Sequence, residues 1–375
     1  MKILFTGGGT GGHFYPIIAI TEALRERAKN QKILMPELYY MAPTEYNPRA
    51  LFDNELIFVP VTAGKIRRYF SLLNFFDLFK TAWGVCSALS SLYKIYPDVV
   101  FGKGGYASFP TLFAARLLRI PVVIHESDSV PGRVNTWAGK FARKIAISYP
   151  EAAQYFKNKD RVAFTGNPIR KEIIAPLSNG AHEFLGLEQG IPTILVLGGS
   201  QGSQVINDAI VESLPKLLEN YQVIHQTGKN NYKAVEQLVK LILDKDPNIG
   251  RYKSFDYLND LALRMSAGIA DVVISRAGST IFEIAAWGVP SIIIPLSEKI
   301  SHDQTKNAFA YARSGACMVI EEQNISDTVL TYEIDTLIKN TELRTKMKDA
   351  AHKFSRLDSA DIIAQALLEI ALEHE

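Results

Sequence analysis

The chain has 375 residues, more than one hydrophobic core usually holds, so its length predicts two domains. Hydrophobic residues make up 47% and charged residues 21%, as in ordinary globular proteins, and the net charge of +2 argues against a nucleic-acid-binding protein. Cys86 and Cys317 lack metal-ligand spacing, so we expect free thiols in a reducing cytoplasm. We see no secretory signal and no uncharged apolar run of about 20 residues, so any membrane contact is expected at the surface.

The first predicted strand, over 3–5, leads into a glycine loop, Gly-Gly-Gly-Thr-Gly-Gly-His at 7–13, and then into a predicted helix over 16–27. Glycine lets backbone N–H groups approach an anion closely, and a helix N-terminus carries partial positive charge. The loop is not a P-loop and is an imperfect G-x-G-x-x-G, so a simple tight turn is the alternative. His13 can move a proton near neutral pH, which favours a functional loop.

Residues 65–94 differ from the rest of the chain because they combine aromatic and basic side chains. Apolar residues occupy adjacent positions there, more than one buried helix stripe requires. Aromatic rings beside a basic cluster are typical of docking to an anionic lipid surface, and a core helix with charged ends is the alternative. The predicted membrane patch consists of Lys65, Arg67, Arg68, Phe70, Phe76, Phe79 and Trp83.

Four turns from a strand through glycine to a helix recur along the chain. Two lie in the first half, after strands 3–5 and 99–101, and two in the second half, after strands 193–197 and 272–274. This α/β duplication predicts two Rossmann-like domains facing each other across a cleft. We place the N-terminal domain at 1–166, joined by a C-terminal helix over 356–375, and the C-terminal domain at 167–355.

Polar side chains near these turns are the candidates for chemistry. Glu283, on the helix after the fourth turn, could bind ribose hydroxyls or merely improve a helix N-terminus. Ser200 and Gln201 could bind a diphosphate or cap their helix. His125 and Glu126 end a predicted strand near the expected cleft, or are residues at the edge of the core. Glycosyl transfer from a nucleotide sugar fits these features.

Metal chemistry has little support in the sequence. Asp244 and Asp246 form an acidic D-x-D, the pattern that holds a divalent metal with a nucleotide sugar, but they lie in a polar stretch away from any strand end. The seven histidines form no zinc motif. We therefore expect no cofactor and no essential metal.

The glycine loop at 7–13, Gly-Gly-Tyr at 104–106, His-Glu at 125–126, Gly-Asn-Pro-Ile-Arg at 166–170, Gly-Gly-Ser-Gln-Gly at 198–202 and Ser-Arg-Ala-Gly at 275–278 together resemble the MurG family. The resemblance spans nearly the whole chain in the right order. It implies a GT-B glycosyltransferase fold and inverting transfer of N-acetylglucosamine from UDP-N-acetylglucosamine to the muramoyl 4-hydroxyl of lipid I, forming lipid II. It also implies peripheral attachment to the cytoplasmic face of the bacterial inner membrane. Alternatives are a UDP-N-acetylglucosamine 2-epimerase, a diacylglycerol glycosyltransferase and a non-enzymatic UDP-sugar sensor.

The resemblance also implies roles for individual residues. His13 is the expected general base, with Glu126 or Asp128 as the alternative base or as its orienting partner. The acceptor is expected at Gly104, Gly105 and Tyr106. The donor is expected at Thr10, Gly11, Gly12, Asp128, Arg170, Ser200, Gln201, Leu258, Ser279, Thr280, Glu283 and Gln304.

Three departures from the family pattern stand out. Asp128 and Ser127 replace the usual Asn and Gln after His-Glu, and a carboxylate there would repel a diphosphate unless it is paired or protonated. Lys103 replaces a usual Phe and adds a cation near the expected acceptor. The segment 279–282 is one residue shorter than usual before Glu283.

Overall fold

The computed structural model describes residues 1–64, 73–199, 202–297 and 302–373, with backbone only for 73–76, 78, 302 and 303. The chain divides into two compact units. Unit 1 comprises Met1–Arg170 and Arg356–Glu375, and unit 2 comprises Lys171–Ser355. The sequence analysis placed the boundary after residue 166, whereas residues 167–170 belong with unit 1.

The described residues form thirteen strands and fifteen α-helices. The strands are β1 (Lys2–Thr6), β2 (Glu37–Ala42), β3 (Leu56–Pro60), β4 (Val99–Gly102), β5 (Val122–Glu126), β6 (Lys144–Ile147), β7 (Val162–Phe164), β8 (Thr193–Leu197), β9 (Gln222–Gln226), β10 (Tyr252–Phe255), β11 (Ala270–Ser275), β12 (Ser291–Ile293) and β13 (Cys317–Val319). The helices are α1 (Gly11–Gln31), α2 (Pro48–Asp53), α3 (Leu73–Ile95), α4 (Phe109–Leu117), α5 (Arg133–Ala138), α6 (Lys171–Ile174), α7 (Ala181–Leu185), α8 (Gln204–Leu217), α9 (Tyr232–Ile242), α10 (Asp260–Ile269), α11 (Thr280–Trp287), α12 (His302–Arg313), α13 (Asp327–Lys339), α14 (Thr341–Phe354) and α15 (Ser359–Leu372).

Each unit contains one parallel sheet. The sheet of unit 1 has the order β3-β2-β1-β4-β5-β6-β7, and the sheet of unit 2 has the order β10-β9-β8-β11-β12-β13. Their central strands are almost uniformly apolar and buried, as expected of strands with helices on both faces. These two Rossmann-like units confirm the predicted α/β fold class.

Helix α1 begins five residues before the predicted start at Pro16. The carbonyl of Thr10 accepts hydrogen bonds from the N–H groups of His13 and Phe14, so the helix starts at Gly11. Proline favours the first positions of a helix, which is why the pattern alone suggested a later start. As a result, His13 lies within the first turn of α1 rather than ahead of the helix.

The C-terminal helix α15 packs against α1 in unit 1. Leu367 is fully buried in the core that also contains the apolar side chains of β1 and α1. On the surface of the same contact, Arg27 Nε and Nη2 donate to the two carboxylate oxygens of Asp361, each at 2.5 Å. The chain therefore returns from unit 2 to complete the core of unit 1.

Gly166 lies shortly before the chain leaves unit 1 at Arg170, and Arg356 lies where the chain returns. Gly166 has φ of +82°, and a Cβ there would lie 2.6 Å from Arg356 Cβ. Its carbonyl accepts hydrogen bonds from Ser359 Oγ at the start of α15. Position 166 therefore requires glycine, because of the close approach of Arg356 and because of the left-handed backbone.

Leu367→Ala should lower the free energy of unfolding of unit 1 by about 2–5 kcal/mol, because it leaves a cavity between α15 and the sheet. Leu372→Ala is the matched control, since Leu372 is 44% exposed on the same helix, and should change stability by less than about 0.5 kcal/mol. Denaturant unfolding followed by tryptophan fluorescence measures both effects. Equal effects of the two substitutions would contradict the packing of α15.

Candidate active site

In each parallel sheet the strand order reverses at one place, the switch point, between β1 and β4 in unit 1 and between β8 and β11 in unit 2. The glycine loops of each unit lie at this point. In unit 1, the loops after β1 and β4 are neighbours, and in unit 2 the loops after β8 and β11 are neighbours. Ligands of doubly wound sheets bind outside the carboxyl ends of the strands at this point. Each unit therefore has one candidate half-site, and the two are described separately.

The first loop of unit 1 presents His13. Thr10 Oγ1 lies 3.0 Å from His13 Nδ1. When Nδ1–H donates to Thr10, Nε2 keeps a lone pair for a proton. Burial and the nearby charge of Lys103 lower the pKa of His13 to about 4, so the ring is neutral at pH 7. A neutral, oriented imidazole is suited to accept a proton.

The second loop of unit 1 approaches His13 through glycine. Gly104 and Gly105 have φ of +91° and +77°. A Cβ on Gly105 would lie 3.4 Å from His13 Cε1, and a Cβ on Gly104 would lie 2.7 Å from Asn135 Nδ2. The structure thus brings the predicted acceptor glycines beside the predicted base, with Tyr106 next to them and partly exposed.

Glu126, at the end of β5, organises the loop that follows it. Its carboxylate accepts hydrogen bonds from Asp128 N and Gly132 N, both at 3.0 Å, and from Asn135 Nδ2 at 2.9 Å. Burial and the charge of Asp128 raise the pKa of Glu126 to about 7, while these donors favour the ionised form. With three donors on its oxygens, Glu126 is arranged as an orienting group for the loop.

His125 is buried, and its ring forms a hydrogen bond with the carbonyl of Gly166. Its Nε2 lies 2.9 Å from Gly166 O and 3.2 Å from Ser148 Oγ. Burial and the charge of Lys103 lower the pKa of His125 well below its ordinary value. The position of His125 is that of a structural histidine.

Lys103 is the least expected member of the unit 1 half-site. Its side chain is only 1% exposed, although it is the first residue after β4. Burial lowers the pKa of Lys103 to about 8, against the opposing charges of Glu126 and Asp128. The side chain is therefore largely protonated at neutral pH.

Arg170 also belongs to the unit 1 half-site. Its guanidinium carbon lies 4.1 Å from the centre of the Tyr15 ring on α1. This cation–π contact holds the arginine against the helix that carries Gly11 and Gly12.

In unit 2, the first glycine loop is tied to the neighbouring strand. The predicted residues Ser200 and Gln201 lie outside the described residues. Gly202 has φ of +76°, and a Cβ there would lie 2.1 Å from Thr227 O. Ser203 Oγ caps α8 by accepting from Ile206 N at 3.3 Å.

Gln226, which the sequence analysis missed, connects two loops of unit 2. Its Nε2 donates to Gly199 O at 3.3 Å, and its Oε1 accepts from Leu258 N at 3.0 Å. The side chain of the predicted donor residue Leu258 is buried, with 1% exposure. A polar residue at the end of a buried strand was the available signal for Gln226, as it was for Glu126.

The second glycine loop of unit 2 leads into α11. Ser279 precedes the helix, Thr280 begins it, and Glu283 lies in its first turn, all partly exposed. The side chain of Gln304, on α12, accepts from Leu296 N at 3.2 Å. The structure therefore brings three predicted donor residues, Ser279, Thr280 and Glu283, to the N-terminus of α11.

A buried ion pair, also missed from the sequence, fixes the loop after β12. Arg276 donates to Ile294 O at 3.2 Å, to Pro295 O at 3.1 Å and to Glu322 Oε1 at 2.6 Å. Glu322 Oε2 accepts from Ser297 N at 2.9 Å. Burial tends to raise the pKa of Glu322, but the bonds from Arg276 and Ser297 outweigh it and hold that pKa below its ordinary value.

The predicted membrane patch is described only in part. Lys65, Arg67, Arg68 and Phe70 lie outside the described residues, as does the side chain of Phe76. Phe79 and Trp83 are 60% and 71% exposed on one face of α3, four residues apart. Among the helices described here, none is both long and apolar enough to cross a bilayer.

The predicted metal candidates are not gathered by the fold. Asp246 Oδ1 accepts from Asn248 N at 2.7 Å within a local turn. Within the described parts of the chain, no three His, Cys, Asp or Glu side chains are grouped as metal ligands.

Two Rossmann-like units with paired glycine loops define a GT-B glycosyltransferase architecture. The model of the glycosyltransferase family 28 N-terminal domain matches residues 3–147, and that of the C-terminal domain matches residues 193–363. These matches cover most of the chain. The chain belongs to glycosyltransferase family 28.

Similar proteins agree with this assignment. A relative from Thermoanaerobacter sp. (strain X514) is 37% identical over 372 residues, 99% of this chain and 100% of the relative. It is named UDP-N-acetylglucosamine--N-acetylmuramyl-(pentapeptide) pyrophosphoryl-undecaprenol N-acetylglucosamine transferase.

Solved structures show the same fold. Acinetobacter baumannii MurG has a TM-score of 0.71 and 25% identity, covering 98% of this chain and 100% of that one. A putative UDP-N-acetylglucosamine 2-epimerase from Listeria monocytogenes has a TM-score of 0.73 but only 16% identity, covering 100% of this chain and 97% of that one. The second likeness concerns the fold alone.

Glu322→Ala should speed amide hydrogen exchange at Ser297 by about tenfold or more, because the N–H loses a charged acceptor in a partly buried loop. Gln323→Ala is the matched control, since the Gln323 side chain is exposed beside Glu322 and donates to the neighbouring Glu321. Exchange followed by mass spectrometry or NMR measures the effect. Unchanged exchange at Ser297 would show that the ion pair does not hold this loop.

Proposed function

We propose that this family 28 enzyme transfers N-acetylglucosamine from UDP-N-acetylglucosamine to the 4-hydroxyl of the muramoyl sugar of lipid I, forming lipid II. The observation that carries the proposal is the 37% identity, over nearly the full length of both chains, to a transferase named for these substrates. The neutral, oriented His13 in unit 1 supports it, since transfer to a hydroxyl needs a proton acceptor.

The reaction is a direct displacement with inversion at the anomeric carbon. The muramoyl O4 forms a bond to C1 of N-acetylglucosamine while the bond from C1 to the UDP oxygen breaks. The hydroxyl proton passes to His13 Nε2, and UDP leaves with the bonding electron pair. In the tautomer whose Nδ1–H donates to Thr10 Oγ1, Nε2 has a lone pair that accepts this proton.

Unit 2 is proposed to hold the donor. Negative charge develops on the diphosphate as UDP departs, and helix N-termini stabilise such charge through their N–H groups. The first turns of α8 and α11 provide two such termini. Glu283 is proposed to bind the ribose hydroxyls, with Ser279 and Thr280 beside the phosphates. We propose that no metal is essential, because these amides can take the leaving charge.

One experiment separates this proposal from an epimerase, whose fold is shared. Labelled UDP-N-acetylglucosamine is incubated with the protein, with and without a lipid I analogue, and released UDP and sugar products are measured. The proposal requires UDP release and a disaccharide product that depend on the lipid I analogue. Conversion of the donor alone to its 2-epimer, or donor binding without any turnover, would reject it.

His13→Gln should lower kcat by about 10²–10⁴-fold with little change in the KM for UDP-N-acetylglucosamine, because it removes a general base from unit 1. Thr10→Val should give a smaller loss of kcat, which Thr10→Ser should restore, because serine keeps the hydroxyl that bonds Nδ1. Steady-state kinetics with varied donor measures both. A rise in donor KM equal to the loss in kcat would make His13 a binding residue.

We also propose that the protein is peripheral at the cytoplasmic face of the bacterial inner membrane. The acceptor carries an undecaprenyl chain, which has to be reached in a lipid surface. Phe79 and Trp83 support this, because two large aromatic side chains exposed on one helix face bury apolar area at a headgroup boundary. The basic residues predicted beside them would attract anionic lipids.

Phe79→Ser with Trp83→Ser should weaken binding to phosphatidylglycerol vesicles by about tenfold or more, through lost apolar burial. Tyr332→Ser is the control, because Tyr332 is 66% exposed on unit 2. Vesicle co-sedimentation measures both. If the control weakens binding as much as the α3 double substitution, the patch has been misplaced.

A further inference from the structure

The unit 1 half-site contains a buried ammonium group that has no hydrogen-bond partner among the described residues. Lys103 is 1% exposed, and among the described residues its Nζ has no hydrogen-bond partner. Leaving three N–H donors of a charged group unpaired inside a protein is costly in free energy. A site that keeps such a group is ready for an anionic ligand.

The stem of Lys103 lies against the first glycine loop. Its backbone N–H donates to Thr6 O, the last residue of β1, at 2.9 Å. A Cβ on Gly7 would lie 3.0 Å from Lys103 Cβ. Lys103 thus begins the second glycine loop of unit 1 and packs against the first. The first loop leads into α1, whose first turn contains no acidic residue.

Glu126, the carboxylate whose charge acts most strongly on Lys103, does not meet the ammonium's need for acceptors. The Glu126 carboxylate already accepts from two backbone N–H groups and from Asn135. Its charge and that of Asp128 act on Lys103 through space and keep the amine protonated. The carboxylates therefore preserve the charge of Lys103 but leave its donors available.

We propose that Lys103 binds a phosphate oxygen of the acceptor's diphosphate, and that this pairing activates His13 as the base. The inference rests on the proposed function, because it takes the acceptor to be a diphosphate-linked sugar. It assigns to Lys103 a double role as the anion-binding residue of unit 1 and as the residue that couples acceptor binding to proton transfer.

The coupling follows from electrostatics at short range. Without a ligand, burial and the positive charge of Lys103 keep the pKa of His13 near 4, which makes the ring a weak base. An anion beside Lys103 compensates that charge and favours an imidazolium, so the pKa of His13 rises towards the pH at which general bases are efficient. The donor alone then meets a weak base, which limits wasteful hydrolysis by water.

Titratable groups on several elements face this cluster and enter its pH dependence. His125 and Glu126 end β5, and Asp128 follows them. Tyr40 on β2 donates to Gly7 O, and burial raises the pKa of Tyr40, so it stays neutral. Tyr106 lies near Gly9. At neutral pH Lys103 supplies the positive charge that acts on both His13 and His125.

The direct test is NMR titration of the imidazole of His13, assigned through His13→Gln, with inorganic pyrophosphate as the probe. Pyrophosphate should raise the pKa of His13 by about one unit or more in the full-length wild type and in Lys29→Met, an exposed lysine on α1. In Lys103→Met the starting pKa should be higher and pyrophosphate should no longer shift it. No response in wild type, or an equal response in Lys103→Met, would overturn the proposal.

Kinetics with a lipid I analogue tests which substrate provides the anion. Lys103→Met should raise the acceptor KM about tenfold or more and leave the donor KM unchanged, and Lys103→Arg should recover part of the loss. A rise in donor KM instead would reject the acceptor assignment. If wild type transfers nothing to the analogue, the proposed function fails, whereas the pyrophosphate titration still decides the role of Lys103.

Folding does not confound this test. Methionine has a length similar to lysine and removes a buried charge, so Lys103→Met should not lower the midpoint of thermal unfolding. A lower midpoint would show that Lys103 is held by contacts within unit 1, which would overturn its assignment as a ligand-binding group.

Discussion

The parallel pairing of the first and fourth strand of each unit is the constraint on which both half-sites depend. Because β4 lies beside β1, and β11 beside β8, two chain segments leave each sheet side by side and in the same direction. Their glycine-rich turns then place backbone N–H groups and one helix N-terminus around the same space. Lys103 meets Gly7, and Gly105 meets His13, only because the strands before them are neighbours.

The two units use this common backbone for different chemistry. Unit 1 surrounds its switch point with ionisable groups, since His13, Lys103 and Glu126 all have pKa values displaced by burial and by one another's charges. Unit 2 ties the loops after β8 and β10 with a neutral group, whereas the ion pair of Arg276 and Glu322 fixes the loop after β12. Gln226 joins two loops, and His225, whose pKa burial lowers to about 3, bonds Asn207 and Tyr252. Coupled ionisable groups suit proton movement, and a neutral hydrogen-bonded frame suits the binding of a nucleotide diphosphate.

The sequence predicted the parts of the fold that local pattern determines. The repeated step from apolar strand through glycine to helix predicted both Rossmann-like units, and the C-terminal helix predicted over 356–375 is observed as α15, Ser359–Leu372. Sequence pattern could not predict side-chain contacts that depend on loop conformation. Glu126 finds its three donors at positions 128, 132 and 135 because the chain curls back after β5, and Arg276 meets Glu322 across 46 residues. Such pairs carry no periodic signal.

The charges of Lys103 and Asp128 account for each other electrostatically. Burial alone favours the neutral amine, whereas the charges of Asp128 and Glu126 raise the pKa of Lys103 and keep it an ammonium at neutral pH. An apolar side chain at 103 would avoid the cost of burying a charge, so stability does not account for the lysine. The two carboxylates favour the charged form of Lys103 but do not accept hydrogen bonds from its Nζ. A bound anion would supply the acceptors that this ammonium group lacks.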